Sequence, residues 1–188
     1  MTILGIGLLL FLGIHLLPAA PPARRALAGH WGEGRYKALF SIVSAVGLVL
    51  IVVGYAQSGE RVPLFAPRPA AIAIAPYAMV VSFILFAAAN MKSHLRRALR
   101  HPMLLGTLIW AGVHFLANGD RAGSLLFGAF FAYALIDLAS AIGRRAVASF
   151  EPEARFDVMA IVGGIVLAGA VMFAHRWLFG VRVVSFGA

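Results

Sequence analysis

Val158 to His175 reads VMAIVGGIVLAGAVMFAH, a run of 18 residues without one Lys, Arg, Asp or Glu. A helix rises about 1.5 Å per residue, so such a run spans most of a hydrocarbon layer about 30 Å thick. Five other charge-poor runs precede it: Met1–Ala23, Ala38–Gly59, Pro69–Met91, His101–Gly119 and Ala122–Gly143, the last interrupted only by Asp137. The expected fold is all-α, a polytopic membrane bundle of about six transmembrane helices. They are placed near residues 3–18, 38–57, 70–90, 102–118, 122–142 and 157–179 of a single domain covering 1–188. The whole chain agrees, with 62% hydrophobic and 12% charged residues and a mean hydropathy of +0.92. Soluble domains hold about 45–50% apolar and about 25% charged residues. Six spans leave no room for a separate soluble domain.

Proline and glycine fall mainly at the ends of these runs. Pro18, Pro21 and Pro22 close the first, Pro67 and Pro69 precede the third, and Pro102 opens the fourth, where its missing N–H costs little. Pro76 lies inside the third, where it is expected to kink the helix. The first run has no basic residue before its apolar core, and Arg24 and Arg25 follow it, so it reads as an uncleaved anchor with its N-terminus outside. The other bases agree. Arg24, Arg25, Arg35 and Lys37 follow the first span, Lys92, Arg96, Arg97 and Arg100 the third, and Arg144, Arg145 and Arg155 the fifth, eleven of the sixteen in all. Arg61, Arg68, Arg121, Arg176 and Arg182 fall on the other side, which makes both termini non-cytoplasmic. The connections after the first and fifth spans are long enough to form short amphipathic segments on the inner surface.

Cysteine is absent, which excludes disulfides, thiolate zinc sites, iron–sulfur clusters, cysteine nucleophiles and c-type haem attachment. A net charge of +9 would suggest nucleic acid in a soluble protein. Here the bases sit between apolar runs, so anionic membrane lipid is the expected partner and nucleic acid is not. No Ser–His–Asp order, P-loop, dinucleotide fingerprint or HExxH motif is present. Small residues recur every four positions at Ala160, Gly164 and Ala168, and at Gly128 and Ala132. Such ridges serve either packing within the bundle or a homodimer face.

An ionisable group in lipid is costly unless it faces the bundle and finds a partner, so each one marks a functional candidate. In or beside the spans stand His15, Asn90, His101, His114, Asn118, Asp137 and His175, while His30 and His94 lie in basic connections. Thr107, Trp110, Ala111 and Asn118 share helical spacing with His114. Imidazole is a common metal ligand, and a haem without cysteine takes its axial bonds from one or two histidines. The alternative is a histidine hydrogen-bonded to a neighbouring helix. By rise per residue, His15 lies about 18 Å down from the outer face and His114 about 18 Å from the inner one, a difference in depth of only ~6 Å. His175 falls near the outer edge and His101 at the inner edge. Ala111 would leave room beside His114 for a flat macrocycle. Asp137 lies ~8 Å from the inner face, where it either orients a histidine N–H or pairs with Arg100 or another inner base. His101 opens the fourth span, where it either attracts an anion or serves the helix cap and head groups.

Arg100 to Asp120, RHPMLLGTLIWAGVHFLANGD, resembles the signature of the NnrU family. Further matches are His15–Leu16–Leu17–Pro18, the stretch from Tyr36–Lys37 through Ser44 and Gly47 to Gly54–Tyr55, and His175 to Gly180–Val181. The resemblance covers nearly the whole chain. It implies a small multi-pass protein of the bacterial inner membrane, associated with nitrite and nitric oxide reduction in denitrification. The plant relative of the family is zeta-carotene isomerase, a membrane b-haem enzyme, whose haem histidines fall on His15 and His114 here. Where that enzyme has a cysteine three residues before the second histidine, this chain has Ala111. Arg100–His101–Pro102 also looks like the RHP of membrane isoprenylcysteine methyltransferases, but the cofactor residues expected further along are not recognisable.

The leading expectation is an integral inner-membrane haem b protein with iron on His15 and His114. Trp110, Ala111, Asn118, Asp137 and His101 are the residues expected to line the cofactor. It would act by electron transfer, nitric oxide binding or support of nitrite and nitric oxide reductase components. Two alternatives stand beside it: a haem-dependent cis–trans isomerase of a polyene, supplied with Phe115, Phe127, Phe130, Phe131 and Tyr133, and a cofactor-free assembly factor. Whether the chain is itself an enzyme stays open at this point.

Overall fold

The computed structural model describes residues 1–59, 62–146 and 149–180. Arg61, Val181 and Arg182 lie outside the described residues. Among the described residues the regular structure is helical, with one isolated bridge between Pro63 and Asp120. Its helices are α1 (Thr2–Leu16), α2 (Pro21–Trp31), α3 (Glu33–Ala56), α4 (Pro69–Ala88), α5 (His94–Leu99), α6 (Pro102–Asn118), α7 (Arg121–Gly143) and α8 (Ala154–Phe179). They group into two compact units, Met1–Ala66 with Asn118–Arg144 and Pro67–Ala117 with Arg145–Ala188.

Four helices, α3, α4, α7 and α8, are long and apolar enough to cross a membrane, and α1 with α2 makes a fifth candidate if the bent pair counts as one span. α6 is apolar, but its 17 residues reach only about 25 Å. Large apolar side chains point outward, including Leu9 (77% exposed), Ile42 (61%), Val166 (64%) and Phe173 (69%). Many of the buried positions are small, among them Ala71, Ala88, Ala134, Ala160 and Ala168. This arrangement suits lipid, where tails are as apolar as leucine and helices associate through close backbone packing.

In the first unit, α1 and α3 meet through glycines on both helices. A Cβ on Gly7 would stand 2.6 Å from the Ile51 nitrogen, and one on Gly54 would stand 2.3 Å from the Leu4 nitrogen. Leu4, Leu8, Leu12, Ile51 and Ala122 form the core, with Phe11, Phe130 and Tyr133 packed against it. α1 ends two residues before the expected position 18. Pro18 cannot supply an N–H to continue the ladder. Three-residue turns take over, with Leu17, Ala19 and Ala20 donating to Ile14, Leu16 and Leu17. Pro21 then opens α2, bent 90° from α1. The connection after the first span thus holds a helix, as expected, whereas residues 144–146 and 149–153 hold none. Ser140 donates to the Ala19 carbonyl at 2.8 Å and Arg144 donates to the same oxygen, tying the bend to the end of α7. At the other end of α7, the Asp120 carboxylate accepts the Gly123 N–H at 2.8 Å, a side-chain N-cap.

In the second unit, α4 continues through Pro76 as one helix. Gly164 lets α8 approach α4 so closely that a Cβ would stand 2.5 Å from the Ile84 Cα. Ala160 and Ala168 are buried on the same ridge, so the small residues of this span serve packing within the unit. The other expected ridge differs, because Ala132 is exposed and Gly128 half-buried. Ser82, fully buried on α4, donates to the Gly106 carbonyl of α6 at 2.8 Å. The Asp157 carboxylate of α8 accepts the backbone N–H groups of His94 (3.2 Å) and Leu95 (3.0 Å), and the His94 ring nitrogen Nδ1 lies 2.6 Å away. α5 is thereby fixed at its start.

Candidate functional site

His15 stands on the last turn of α1, half-buried. Its Nδ1 lies 2.6 Å from the carbonyl oxygen of Phe11, one turn back. A carbonyl only accepts, so Nδ1 carries the proton and the lone pair of the neutral ring is on Nε2. Three aromatic rings surround the imidazole: Phe11 with centroids 4.3 Å apart, Phe40 of α3 at 5.1 Å and Tyr133 of α7 at 6.5 Å. Tyr133 donates its hydroxyl to the Asp137 carboxylate at 3.3 Å. Asp137 therefore accepts from a phenol, while the His15 Nδ1 proton goes to backbone. Ser44, one turn beyond Phe40, has a buried hydroxyl oxygen without a hydrogen-bond partner.

His114 repeats the arrangement in the other unit. On α6 its Nδ1 lies 2.8 Å from the Trp110 carbonyl, again one turn back, which puts the lone pair on Nε2. The Trp110 indole packs against the imidazole with centroids 5.5 Å apart. Ala111 is fully buried on the same helix. On α8 of the same unit, the His175 ring packs on Phe179 with centroids 4.8 Å apart.

His101 is half-buried at the start of α6, where its carbonyl accepts the Leu105 N–H at 3.2 Å. Its own N–H donates to Leu99 at 2.6 Å across Arg100, whose φ of 62° is unusual for a residue with a side chain. The Arg100–His101–Pro102 segment is thus a tight reversal between α5 and α6. Asn118 ends α6, its Cβ beside Gly123. The expected residues therefore fall into two sets. His15, Asn118 and Asp137 belong to the first unit, and His101, Trp110, Ala111 and His114 to the second.

Residues 3–183 match the family model described as NnrU protein. The chain belongs to the NnrU family. No curated protein and no solved structure shows a significant match. In this NnrU protein the run from Arg100 to Asp120 builds the α5–α6 reversal, the whole of α6 and the cap of α7.

No group of three or more His, Asp or Glu among the described residues could hold a metal ion. A haem macrocycle supplies four equatorial nitrogens to its iron, so the protein need offer only one or two axial imidazoles. An imidazole whose Nδ1–H is held by a backbone carbonyl presents Nε2 in the tautomer and orientation that ligation requires. His15 and His114 both meet that condition. Phe40, which packs against His15, carried no mark in the sequence, because its contact is made across helices; its spacing of one turn from Tyr36 and Ser44 was the only available signal.

Proposed function

We propose that this NnrU protein is a multi-pass haem b protein of the bacterial inner membrane serving nitrite and nitric oxide metabolism. The residues that would hold the haem are His15 and His114, each through Nε2. One observation carries the reading: His15 and His114, on different helices, each have Nδ1 held by the carbonyl one turn back. The bound group would supply one-electron chemistry or a site for nitric oxide. The chain's own residues orient the imidazoles and pack the rings of Phe11, Phe40 and Trp110 against them. Two protein ligands favour electron transfer, and one labile ligand favours nitric oxide binding. The same reading counts α1 and α6 as spans, giving six, with both termini on the non-cytoplasmic side.

The test is an optical spectrum of the detergent-purified protein, oxidised and reduced, with iron quantified per chain. The expected result is a Soret band with b-type α and β bands on reduction, lost or shifted in His15→Ala and His114→Ala. Full pigment in both variants would remove the ligand assignment. A colourless, iron-free, folded protein that co-purifies with reductase components would replace the reading with an assembly role.

A further inference from the structure

At the bend between α1 and α2 the first unit has an open groove of about 360 Å³, lined by Pro18, Arg24, Tyr36, Lys37, Phe40 and Ser41. Two of these six carry positive charge. The Arg24 guanidinium lies 5.7 Å from the Tyr36 ring centroid and is held by Glu33 at 3.1 Å in an exposed pair. Arg25 and Arg35 add charge nearby, and Glu33 is the one acid from Arg24 to Lys37. Tyr36 is 6% exposed, yet its hydroxyl oxygen has no hydrogen-bond partner. A buried hydroxyl without an acceptor is costly. An anionic oxygen is the chemistry that this hydroxyl and the two cations have in common.

The surface leading away from the groove distinguishes a lipid from a small ion. From Lys37 and Ser41, an exposed stripe of α3 continues through Ala45, Leu48 (49% exposed) and Val52 (61%), positions that share one side of the helix. Ser41 to Val52 covers about 16 Å, close to half of a hydrocarbon core about 30 Å thick. A charged recess at one end of an apolar track one leaflet deep is the shape of a phospholipid. α2 departs from α1 at 90°, so with α1 across the bilayer it lies along the surface, and its exposed Arg25 and Trp31 suit the headgroup level.

We propose that this groove binds an anionic phospholipid, its phosphate between Arg24 and Lys37 and an acyl chain along Ser41, Ala45, Leu48 and Val52. The site needs no haem, so its failure and that of the haem reading are separate.

The test is native mass spectrometry of the full chain in detergent, titrated with phosphatidylglycerol or phosphatidylcholine. One phosphatidylglycerol should be retained in preference to phosphatidylcholine. Its affinity should fall about fivefold in Arg24→Gln or Lys37→Gln and about thirtyfold in the double variant, as expected from about 1 kcal/mol per base near an anionic surface. The exchange of Arg24→Lys with Lys37→Arg should retain binding, and circular dichroism confirms that each variant is folded. Equal retention of the two lipids would overturn the proposal. So would an equal loss in Arg96→Gln with Arg97→Gln, which removes two bases elsewhere. Displacement by inorganic phosphate at concentrations comparable to the lipid would also overturn it, showing a site for a free anion.

Discussion

Replacing Gly7 by alanine adds one methyl group at the closest part of the α1–α3 contact. The new Cβ would meet the Ile51 nitrogen at 2.6 Å, the Leu50 carbonyl carbon at 2.9 Å and the Gly47 oxygen at 3.0 Å. All three are backbone atoms, so no side-chain rotation relieves the overlap. Restoring ordinary contact requires the helices to separate by roughly 0.8 Å, and overpacking of this kind costs about 1–3 kcal/mol. Alanine also gains up to about 1 kcal/mol of helix propensity over glycine. The net expectation is a loss of about 0–2 kcal/mol, and of about 1–3 kcal/mol relative to Gly5→Ala, where the propensity gain is shared. Gly5 and Gly13 lie on the same helix with nothing within 4 Å of their Cβ positions, so Gly5→Ala and Gly13→Ala should be neutral or stabilising by up to about 1 kcal/mol. Reversible unfolding by SDS in mixed micelles, followed by circular dichroism, measures all three. If Gly7→Ala is as stable as Gly5→Ala, the close α1–α3 approach is wrong and with it the placement of Phe40 against His15.

Two other substitutions probe local ties. Asp120→Ala removes the N-cap of α7 and should cost about 1 kcal/mol in the same titration, with Asp120→Ser recovering most of it. Asp157→Ala deprives the His94 and Leu95 amides of their acceptor, so their hydrogen exchange should accelerate while the interior of α4 is unchanged. Unaltered exchange at both amides would show that Asp157 does not fix α5.

Hydropathy alone located most of the helices, because lipid selects runs without charge. The expected 70–90 and 122–142 became Pro69–Ala88 and Arg121–Gly143, and 102–118 became Pro102–Asn118. α3 and α8 begin earlier than their apolar runs, at Glu33 and Ala154. Backbone hydrogen bonding continues past the point where charged side chains such as Arg35 and Arg155 reach polar surroundings. α5 was not anticipated: six residues with two arginines and a histidine carry no apolar period, and its start is held by Asp157, 62 residues away from Leu95.

His15 and His114 were visible as candidates because a histidine in an apolar run is conspicuous, and their partners at Phe11 and Trp110 follow from helical spacing. The surroundings of His15 were not visible. Phe40 and Tyr133 reach it from other helices, and Asp137, expected beside a histidine or a base, accepts from Tyr133. Membrane residence and the helix-local tautomer of each histidine are consequences of composition and of contacts within a single turn. The 90° bend at Pro18, the glycine contacts between α1 and α3 and the aromatic enclosure of His15 depend on which helix faces which. Residue order along one helix cannot specify that, because closely packed contacts between helices arise only when both surfaces are present.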